Sequence, residues 1–265
     1  MFARKKPDPV TGKRGLRFCF SCIKLNRNTL NKIAYRLQRI ATLLDQVSSA
    51  QYFSKLDLLS GYWQVPMRAQ DVPKTAFITH YGNFEFRVIP FGLCGAPSTF
   101  QHMMDAVFTR PAELSNGDTI SFMEFVATYL DDICIFSATK GEHVTHIRVV
   151  LGRLRKYKLY AKPSKCEWLQ TSVQFLGHQI SQAGKQVDRS RVNALQSCPL
   201  PNNRSELRTL LGNFGYWRPY IKNYAHIVAP LNALTSEKVV WGWHAEHEAA
   251  VAKLKAALLK HTLCW

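Results

Sequence analysis

The chain has 265 residues, enough for one large lobed domain or two smaller ones. Hydrophobic residues make up 46% of it and aromatic residues 12%, so it can form real cores and is not a disordered segment. Lys and Arg number 35 against 18 Asp and Glu, a formal net charge of +17, and such a surface attracts polyanions. Charge alone separates neither RNA from DNA nor an enzyme from a passive binder.

The seven cysteines are scattered and odd in number, which is typical of reduced thiols and not of a disulfide framework. No apolar run approaches the roughly 20 residues of a membrane span. Residues 1–10 lack the apolar core of a secretion signal. The sequence therefore predicts an intracellular protein without a membrane segment, in the cytoplasm or alternatively in the nucleus.

The first half of the chain combines hairpins with helices. The helical predictions rest on apolar spacing and on Pro97 in a first turn, and the second hairpin turns at Tyr81-Gly82-Asn83. The predicted elements are, in order, a basic hairpin over 1–30 with an apolar, strand-like stretch over 16–23, a helix over 31–50, a strand, turn and short helix or strand over 51–67, a hairpin over 74–90 and a helix over 97–108.

The second half continues the mixture, and its elements do not follow a strict βαβ order. Hairpins are frequent, which predicts an α+β fold with an antiparallel sheet. The predicted elements are a polar loop over 109–121, strands over 122–128 and 133–136, an amphipathic helix over 142–158, a strand over 173–180, a helix after the capping-box pattern of Asn203 and Glu206, and a helix within 241–259.

Two adjacent carboxylates lie between two apolar strands, in Tyr129-Leu130-Asp131-Asp132. Crowded carboxylates are costly unless a positive partner is present, and hard oxygen ligands suit Mg²⁺. The alternative is an ordinary β-turn, where Asp is common.

A third carboxylate, Asp57, lies in another apolar strand, and its alternative is an exposed edge position. Three carboxylates can bind two metal ions roughly 3.5–4 Å apart, one activating a 3′-hydroxyl and the other holding a triphosphate and its leaving group. That arrangement predicts phosphoryl transfer by positioning and charge neutralisation.

Long segments around these carboxylates resemble the consecutive palm motifs of reverse transcriptases from Ty3/gypsy-type LTR retrotransposons. The resemblance covers nearly the whole chain, and its motifs occur in the family's order. They are FSKLDLLSGYWQV, KTAFITHYGNFEFRVIPFGLCGAPSTFQ, YLDDICIFS, LYAKPSKCEW, VQFLGHQIS and SELRTLLGNFGYWRPYI.

The resemblance implies a right-hand polymerase with fingers, a palm built on an antiparallel sheet, and a thumb. The expected domains are fingers and palm over 1–198, with fingers truncated at the N-terminus, a thumb-like helical segment over 199–236, and the start of a connection over 237–265. The implied activity is RNA-directed DNA synthesis from dNTPs on a primed RNA or DNA template, with two Mg²⁺ ions or Mn²⁺. RNase H and integrase domains of a Pol polyprotein are the implied neighbours.

The resemblance also assigns site residues. Asp57, Asp131 and Asp132 match the metal-binding carboxylates, and the Leu58 backbone the additional metal contact. Tyr62 matches the aromatic residue that screens the sugar 2′ position, with the alternative that it belongs to the core. The implied contacts to nucleotide are Arg17, Lys6, Tyr62, Phe91, Gly92 and Tyr129. Those to primer and template are Phe175, Leu176, Gly177, His178, Gly212 and Tyr216, with helix packing as the alternative reason for Gly212.

The chain departs from the family pattern at several points. Ser21-Cys22-Ile23 replaces a polar Asp-Tyr-Arg element, which is expected to loosen the fingers. Arg36 and Gln38 replace two prolines, and the helix predicted over 31–50 depends on this change. The loop over 109–121 is also longer than usual.

Two kinds of site are not expected in this chain, an RNase H carboxylate cluster and a metal site formed by histidine pairs. After Trp217 the acidic residues are Glu237, Glu246 and Glu248, which form no RNase H carboxylate cluster, so no RNase H activity is expected. The pairs His143-x-x-His146 and His244-x-x-His247 are predicted to be exposed helix histidines and not metal ligands.

The competing hypothesis is a decayed or co-opted fragment that binds nucleic acid but polymerises poorly. The Ser21-Cys22-Ile23 change and the truncations favour it, whereas the intact carboxylates oppose it. Primer extension on an RNA template distinguishes the two hypotheses.

Overall fold

A computed structural model describes most of the chain as two compact units, Met1–Val173 and Gln174–Trp265. The predicted boundaries at residues 198 and 236 concern smaller subdivisions and stay predictions. No helix in the described part is long and apolar enough to cross a membrane. The described residues are 2–7, 14–30, 35–114, 117–187, 189–218 and 221–261.

In its described residues the first unit contains most of the strands, all paired in antiparallel fashion, together with four α-helices. The predicted mixture of helices and antiparallel sheet is thus confirmed. In chain order its elements are β1 (Phe2–Pro7), β2 (Arg14–Phe18), α1 (Ile23–Asn28), α2 (Ile40–Val47), β3 (Tyr52–Asp57), β4 (Phe77–Thr79), β5 (Gly82–Phe84), α3 (Ala96–Thr109), β6 (Ala112–Glu113), β7 (Thr119–Ile120), β8 (Val126–Tyr129), β9 (Asp132–Ser137), α4 (Lys140–Lys156) and β10 (Glu167–Gln170).

A four-stranded sheet in the order β10-β3-β9-β8 forms the centre of this unit. Its strands are rich in β-branched and aromatic residues, as the pleated, half-buried surface of a sheet favours. One core cluster packs Leu56, Ile133 and Ile135 of the sheet against Phe100 of α3 and Val150 of α4. Because this core lies beneath the sheet, it fixes the ends of β3 and β9, where the predicted carboxylates lie.

The helix predicted over 31–50 is wrong in its first half. The structure has only α2 there, while residues 31–34 lie outside the described part and residue 39 is extended. Leu43, Leu44 and Val47 are all buried, whereas Leu37 is only half-buried. A short helix is stable in water only where an apolar face packs, so helical spacing without burial was not sufficient.

The predicted strand-like stretch over 16–23 also ends early, because β2 stops at Phe18 and Cys22 precedes α1. The predicted hairpin over 74–90 is confirmed only around its turn, as β4 and β5. Its second arm pairs elsewhere: the N–H of Met67 donates to Arg87 O (2.9 Å), and that of Ile89 to Val65 O (3.0 Å). Long-range pairing overrode the local pattern.

The second unit contains a small sheet and four helices. Its sheet has the order β11-β12-β13. Residues 173–180, which were predicted to form one strand, turn at Leu176-Gly177 and so belong to two strands, β11 and β12. Leu207, Phe214 and Leu231 belong to its core cluster. Its elements are β11 (Ser172–Phe175, which begins in the first unit), β12 (His178–Ser181), β13 (Gly184–Val187), α5 (Arg189–Gln196), α6 (Arg204–Tyr216), α7 (Tyr224–Leu234) and α8 (Ala245–His261).

The predicted cap of α6 is confirmed for Asn203, whose side chain accepts a hydrogen bond from the Glu206 N–H at 2.9 Å. The reciprocal bond differs from the prediction, because the Glu206 carboxylate accepts from the backbone N–H of Asn202 (2.8 Å) and from the side-chain amide of Asn203 (2.8 Å), and not from the backbone N–H of Asn203. The bonds from the two backbone N–H groups satisfy donors at the helix start that would otherwise lack a partner.

The prediction of exposed histidines is wrong for His143 and His247, which are 0% and 4% exposed. His143 lies between two serines of the central sheet: its Nε2 is 2.8 Å from Ser54 Oγ, and its Nδ1 is 2.8 Å from Ser137 Oγ. His146 extends this network, with its Nδ1 2.7 Å from Ser137 Oγ. The buried face of α4 was predicted from its apolar positions. These positions gave no sign that polar partners on the sheet would also bury a histidine of this helix.

This buried network predicts a pH-dependent stability. Burial, with a smaller contribution from His146, lowers the pKa of His143 to about 4 from its ordinary 6.5. The unfolded chain therefore binds a proton that the native protein does not, so stability falls as pH drops through that window. The loss from this one imidazole is about 3 kcal/mol.

Urea unfolding at a series of pH values measures this effect. His143→Gln should flatten the acid limb of the stability profile, whereas His226→Gln, at an exposed position on α7, should leave it unchanged. An equal acid slope in the wild type and in His143→Gln would contradict the buried, neutral imidazole.

Candidate active site

The register of the central sheet brings the three predicted carboxylates to one edge. Asp57, the last residue of β3, lies directly opposite Asp132, the first residue of β9. Tyr129 at the end of β8 pairs with the same Asp132, so Leu130 and Asp131 form the turn of a hairpin. The Leu58 N–H donates to the Asp131 carbonyl oxygen at 3.3 Å, which connects that turn to the end of β3.

Two lysines neutralise two of these carboxylates. Lys165 Nζ lies 2.8 Å from Asp57 Oδ2, and Lys55 Nζ lies 3.5 Å from Asp132 Oδ1. The Lys162 N–H donates to the Asp57 carbonyl oxygen (2.8 Å), and this bond holds the segment that carries Lys165 against β3. The charge of the cluster is thus partly balanced by side chains of the chain itself.

Asp131 has no comparable partner. Its Oδ1 is buried, and no hydrogen-bond donor in the described part of the chain reaches it. The pKa of Asp131 is raised to about 6, chiefly by burial and also by the charges of Asp57 and Asp132, against a lowering by Lys165. A buried carboxylate oxygen without a partner is costly, so this position favours an added cation.

The backbone beside Asp131 is unusually close to it. Ser60 has φ +51°, a left-handed conformation, and it turns the chain so that buried Gly61 lies against the Asp131 carboxylate. A Cβ on Gly61 would lie 2.8 Å from Asp131 Cγ, 2.9 Å from Phe100 Cζ, and closer still to Asp131 Oδ1. Glycine is therefore needed at this position, because any side chain would displace the carboxylate.

Aromatic rings line the space next to the carboxylates. The ring of Tyr62 packs 5.2 Å from that of Phe91 and 5.4 Å, edge-on, from that of Phe100. Burial raises the pKa of the Tyr62 hydroxyl, and Asp131 raises it further. Tyr62 is half-buried and packs against the core cluster, so the core alternative is correct for part of its ring, while one side stays accessible.

The loosening predicted around Ser21-Cys22-Ile23 stays a prediction, but Cys22 itself is closely packed. This side chain is 4% exposed, and its thiol lies 3.8 Å from the Phe91 carbonyl oxygen. The Asn26 side chain donates to Gly92 O (2.8 Å) and accepts from the Cys94 N–H (2.9 Å). Gly92 has φ +102°, a conformation that favours glycine, and the bonds from Asn26 show that α1 directly supports this turn of the loop next to Phe91.

The donor set at the sheet edge fits divalent metal ions in chemistry, because carboxylate oxygens are the ligands that Mg²⁺ prefers. In the described part of the chain, however, no three carboxylate, His or Cys side chains converge as a ready ligand set. The ion pairs at Asp57 and Asp132 account for this, since each turns a carboxylate toward a lysine. The orphaned Oδ1 of Asp131 is the observation that favours a cation there.

The residues predicted to contact primer and template lie in the second unit. Leu176 and Gly177 form the β11–β12 turn with φ +49° and +81°, and Phe175 and His178 beside them are buried. The Tyr216 hydroxyl of α6 donates to the Leu176 carbonyl oxygen, so the turn and the helix are joined.

Gly212 is exposed on α6, and a Cβ there would meet nothing within 4 Å. Packing among the described residues therefore does not explain this glycine, contrary to the packing alternative.

Two of the residues predicted to contact the nucleotide, Lys6 and Arg17, lie near the start of the chain. The backbones of Lys6 and Arg17 lie in β1 and β2, which pair as the predicted hairpin. Their side chains lie outside the described part of the structure, so their roles stay predictions.

Sequence reasoning missed four residues of this site: Lys55, Gly61, Gln101 and Lys165. Lys55 lies two residues before Asp57 on the same strand. Because side chains alternate between the two faces of a strand, the sequence could have indicated that both lie on one face. Gln101 is a polar residue on the buried face of α3, which is also a readable signal. Lys165 is 108 residues from Asp57 in sequence, and only the folded chain reveals their pairing.

The reverse transcriptase (RNA-dependent DNA polymerase) family profile matches residues 4–180. The Pol polyprotein of transposon 297 from Drosophila melanogaster is 34% identical over 97% of this chain, and that of transposon opus is 36% identical over 87%. The Tf2-3 polyprotein of Schizosaccharomyces pombe is 33% identical over 85%. The chain spans only 23%, 22% and 16% of these relatives.

Solved structures give the same fold. A foamy viral protease-reverse transcriptase in complex with an RNA/DNA hybrid superimposes with a TM-score of 0.77, at 23% identity over 96% of this chain and 32% of that one. Its complex with double-stranded DNA gives 0.78 at 24% identity, over 95% and 42%. These likenesses establish a right-hand polymerase fold, as predicted. Together with the relatives among Ty3/gypsy-type elements, the profile match shows that the chain belongs to the reverse transcriptase family.

Proposed function

We propose that this chain is the polymerase module of a retrotransposon reverse transcriptase, which adds deoxynucleotides to a primer 3′-hydroxyl under the direction of an RNA template. The single observation that carries the proposal is the arrangement of Asp57, Asp131 and Asp132 at one sheet edge, with a buried Asp131 oxygen that lacks a partner. The family match supports the same activity.

The residues of the site would divide the work. Asp57, Asp131 and Asp132, with the Leu58 backbone, would hold two Mg²⁺ ions, or Mn²⁺ in their place. When bound, these ions supply charge neutralisation for the triphosphate and activation of the attacking hydroxyl. Lys165 and Lys55 balance the charge of two of these carboxylates, so their ion pairs would have to open for those carboxylates to coordinate a cation.

Nucleotide selection is assigned to the aromatic wall. Phe91 and Gly92 would form one side of the dNTP pocket, with Tyr129 below it, and Tyr62 would occupy the space that a ribose 2′-hydroxyl needs. The packing of Tyr62 between Phe91 and Phe100 supports this role, because a ring held on two sides cannot move away from the sugar. Arg17 and Lys6 are proposed to contact the triphosphate.

Tyr62→Ala should raise the incorporation of ribonucleotides relative to deoxynucleotides by roughly 10–100-fold, the range that a single steric contact can supply. The ratio of kcat/KM for rNTP and dNTP on one primed template measures it. Tyr62→Phe keeps the ring and should keep the selectivity. An unchanged ratio in Tyr62→Ala would assign Tyr62 to the core alone.

Primer and template are proposed to contact the second unit through the Phe175-to-His178 turn and through Gly212 and Tyr216 on α6. The bond that joins Tyr216 to Leu176 supports a single surface formed by turn and helix. The foamy viral structures contain nucleic acid duplexes, and the net charge of +17 favours such a partner here.

We also propose RNase H and integrase domains of a longer polyprotein as further partners; the relatives are polyproteins of which this chain spans only 23% or less. The scattered and odd-numbered cysteines, a pattern typical of reduced thiols, support an intracellular site, in the cytoplasm or the nucleus.

Primer extension on an RNA template tests the proposal. The purified chain should extend a labelled DNA primer when all four dNTPs and Mg²⁺ are present, and a DNA template of the same sequence serves for comparison. Binding of the duplex without extension on either template would overturn the polymerase proposal and support the decayed-fragment hypothesis.

A further inference from the structure

A buried glutamine contacts the turn that carries Asp131. Gln101 of α3 is 1% exposed, and its Oε1 accepts a hydrogen bond from the Leu130 N–H at 2.7 Å. Leu130 has φ +52°, a left-handed conformation that a leucine adopts only when its surroundings impose it. The glutamine therefore holds the backbone of the turn at its most constrained residue.

Two further side chains fix the orientation of this amide. Gln101 Nε2 donates to Asp105 Oδ1 at 2.8 Å, and Asp105 Oδ2 accepts from the Tyr35 hydroxyl at 2.5 Å. An ionised carboxylate can only accept hydrogen bonds, so the NH₂ group of Gln101 must face Asp105. Oε1 is thereby left for Leu130. We call Gln101, Asp105 and Tyr35 the Gln101 chain.

The turn is thus held from two directions. The Gln101 chain holds it through the Leu130 N–H, and the end of β3 holds it through the bond from the Leu58 N–H to the Asp131 carbonyl (3.3 Å). Between these two bonds, the Asp131 carboxylate lies against Gly61 with no room for even a methyl group. A small shift of the turn would therefore move the carboxylate against a rigid wall or out of the site.

We propose that the Gln101 chain positions Asp131 for catalysis, and that Gln101 sets both the divalent-metal affinity and the rate of nucleotide transfer without touching substrate. The expected effect on the rate rests on the proposed polymerase function, whereas the expected effect on metal affinity does not. Catalytic groups must be held within a fraction of an ångström, and hydrogen bonds from the residues behind them supply that precision.

The test compares variants of the 265-residue chain by two measurements. Gln101→Leu should raise the Mn²⁺ dissociation constant, measured by calorimetry without nucleic acid, by about 10-fold, within the range of lost outer contacts at metal sites. The single-turnover rate of incorporation, which counts only active molecules, should fall roughly 100-fold, the scale on which misplacement of a catalytic group acts.

Asp105→Leu should give a smaller loss of metal affinity and of rate, because the Gln101 amide can then rotate. Tyr35→Phe should give a smaller loss still, and Asp105→Asn should stay near the wild type, because its side-chain oxygen can still accept from Gln101.

Met104→Ala is the matched control, because Met104 is fully buried on the same helix and makes no bond to the turn. It should lower the melting temperature but leave Mn²⁺ affinity and single-turnover rate unchanged. If Gln101→Leu behaves like Met104→Ala in both measurements, Gln101 is only structural and the proposal is overturned. If the wild type incorporates no nucleotide, the proposed function fails, and the Mn²⁺ affinities alone still confirm or overturn the role of Gln101.

Discussion

Replacing Asp131 with asparagine is expected to lower the rate of primer extension by at least about 10³-fold, the scale on which loss of a key charge-stabilising group acts. Asparagine has nearly the same shape, so the hairpin turn and its bond from Leu58 should persist. What is lost is the negative charge of the carboxylate that, among the described residues, is not paired with a lysine. Single-turnover incorporation measures the effect. Glu113→Gln, which removes an exposed charge on β6, should leave the rate unchanged.

The same variant should be no less stable than the wild type in the absence of metal. The pKa of Asp131 is raised to about 6, so the folded protein binds this proton more tightly than the unfolded chain does. Stability from this group is therefore present at low pH and is lost as pH rises toward and through 6. Asparagine removes the penalty at about pH 8, and the two proteins should converge at acid pH. Substantial extension by Asp131→Asn, or its unfolding, would refute the assignment of Asp131.

A single methyl group on Gly61 should have the next largest effect. Gly61→Ala is expected to lower the single-turnover rate about 100-fold or more, because displacement of a catalytic group by 1 Å has that scale of effect. The added Cβ would overlap the Asp131 carboxylate and the Phe100 ring. Neither neighbour can withdraw freely, since Phe100 is fully buried and Asp131 is held through its own backbone. Overpacking should also reduce stability by about 1–3 kcal/mol.

Gly152→Ala is the control, since Gly152 lies exposed on α4 and a Cβ there meets nothing within 4 Å. Alanine favours helix by about 1 kcal/mol over glycine, so this variant should be equally active and slightly more stable. The rate and the unfolding free energy of both variants are measured together. A Gly61→Ala protein with wild-type activity would show that Asp131 does not lie where the structure has it.

The grouping of the three carboxylates was predictable from the sequence because their pattern is local. Asp131-Asp132 between two apolar strands, and Asp57 within a third, are readable without any fold, and the register of β3 with β9 brings them together. Helix α3 was likewise predictable, since it buries an apolar face, whereas α4 buries only Val150 and Leu154 beside His143, and Leu151 of its predicted face is exposed.

Features that depend on long-range contacts could not be predicted. The polar partners of His143, Ser54 and Ser137, lie on separate strands, so a helix pattern alone suggested exposure. The pairing of residues 87–89 with 65–67 replaced part of a local hairpin for the same reason. The need for glycine at position 61 depends on the carboxylate of Asp131, which is 70 residues away in sequence and adjacent only in the fold.

Incorporation of one nucleotide on an RNA template tests the central claim most directly. The purified chain, given a primed RNA template, a divalent cation and a single dNTP, should lengthen the primer by one residue when that dNTP is complementary to the template. The other three dNTPs should give little product, and chelation of the cation should stop the reaction. Absence of product with the complementary dNTP, or equal product from the wild type and Asp131→Asn, would contradict a template-directed polymerase site built on these three carboxylates.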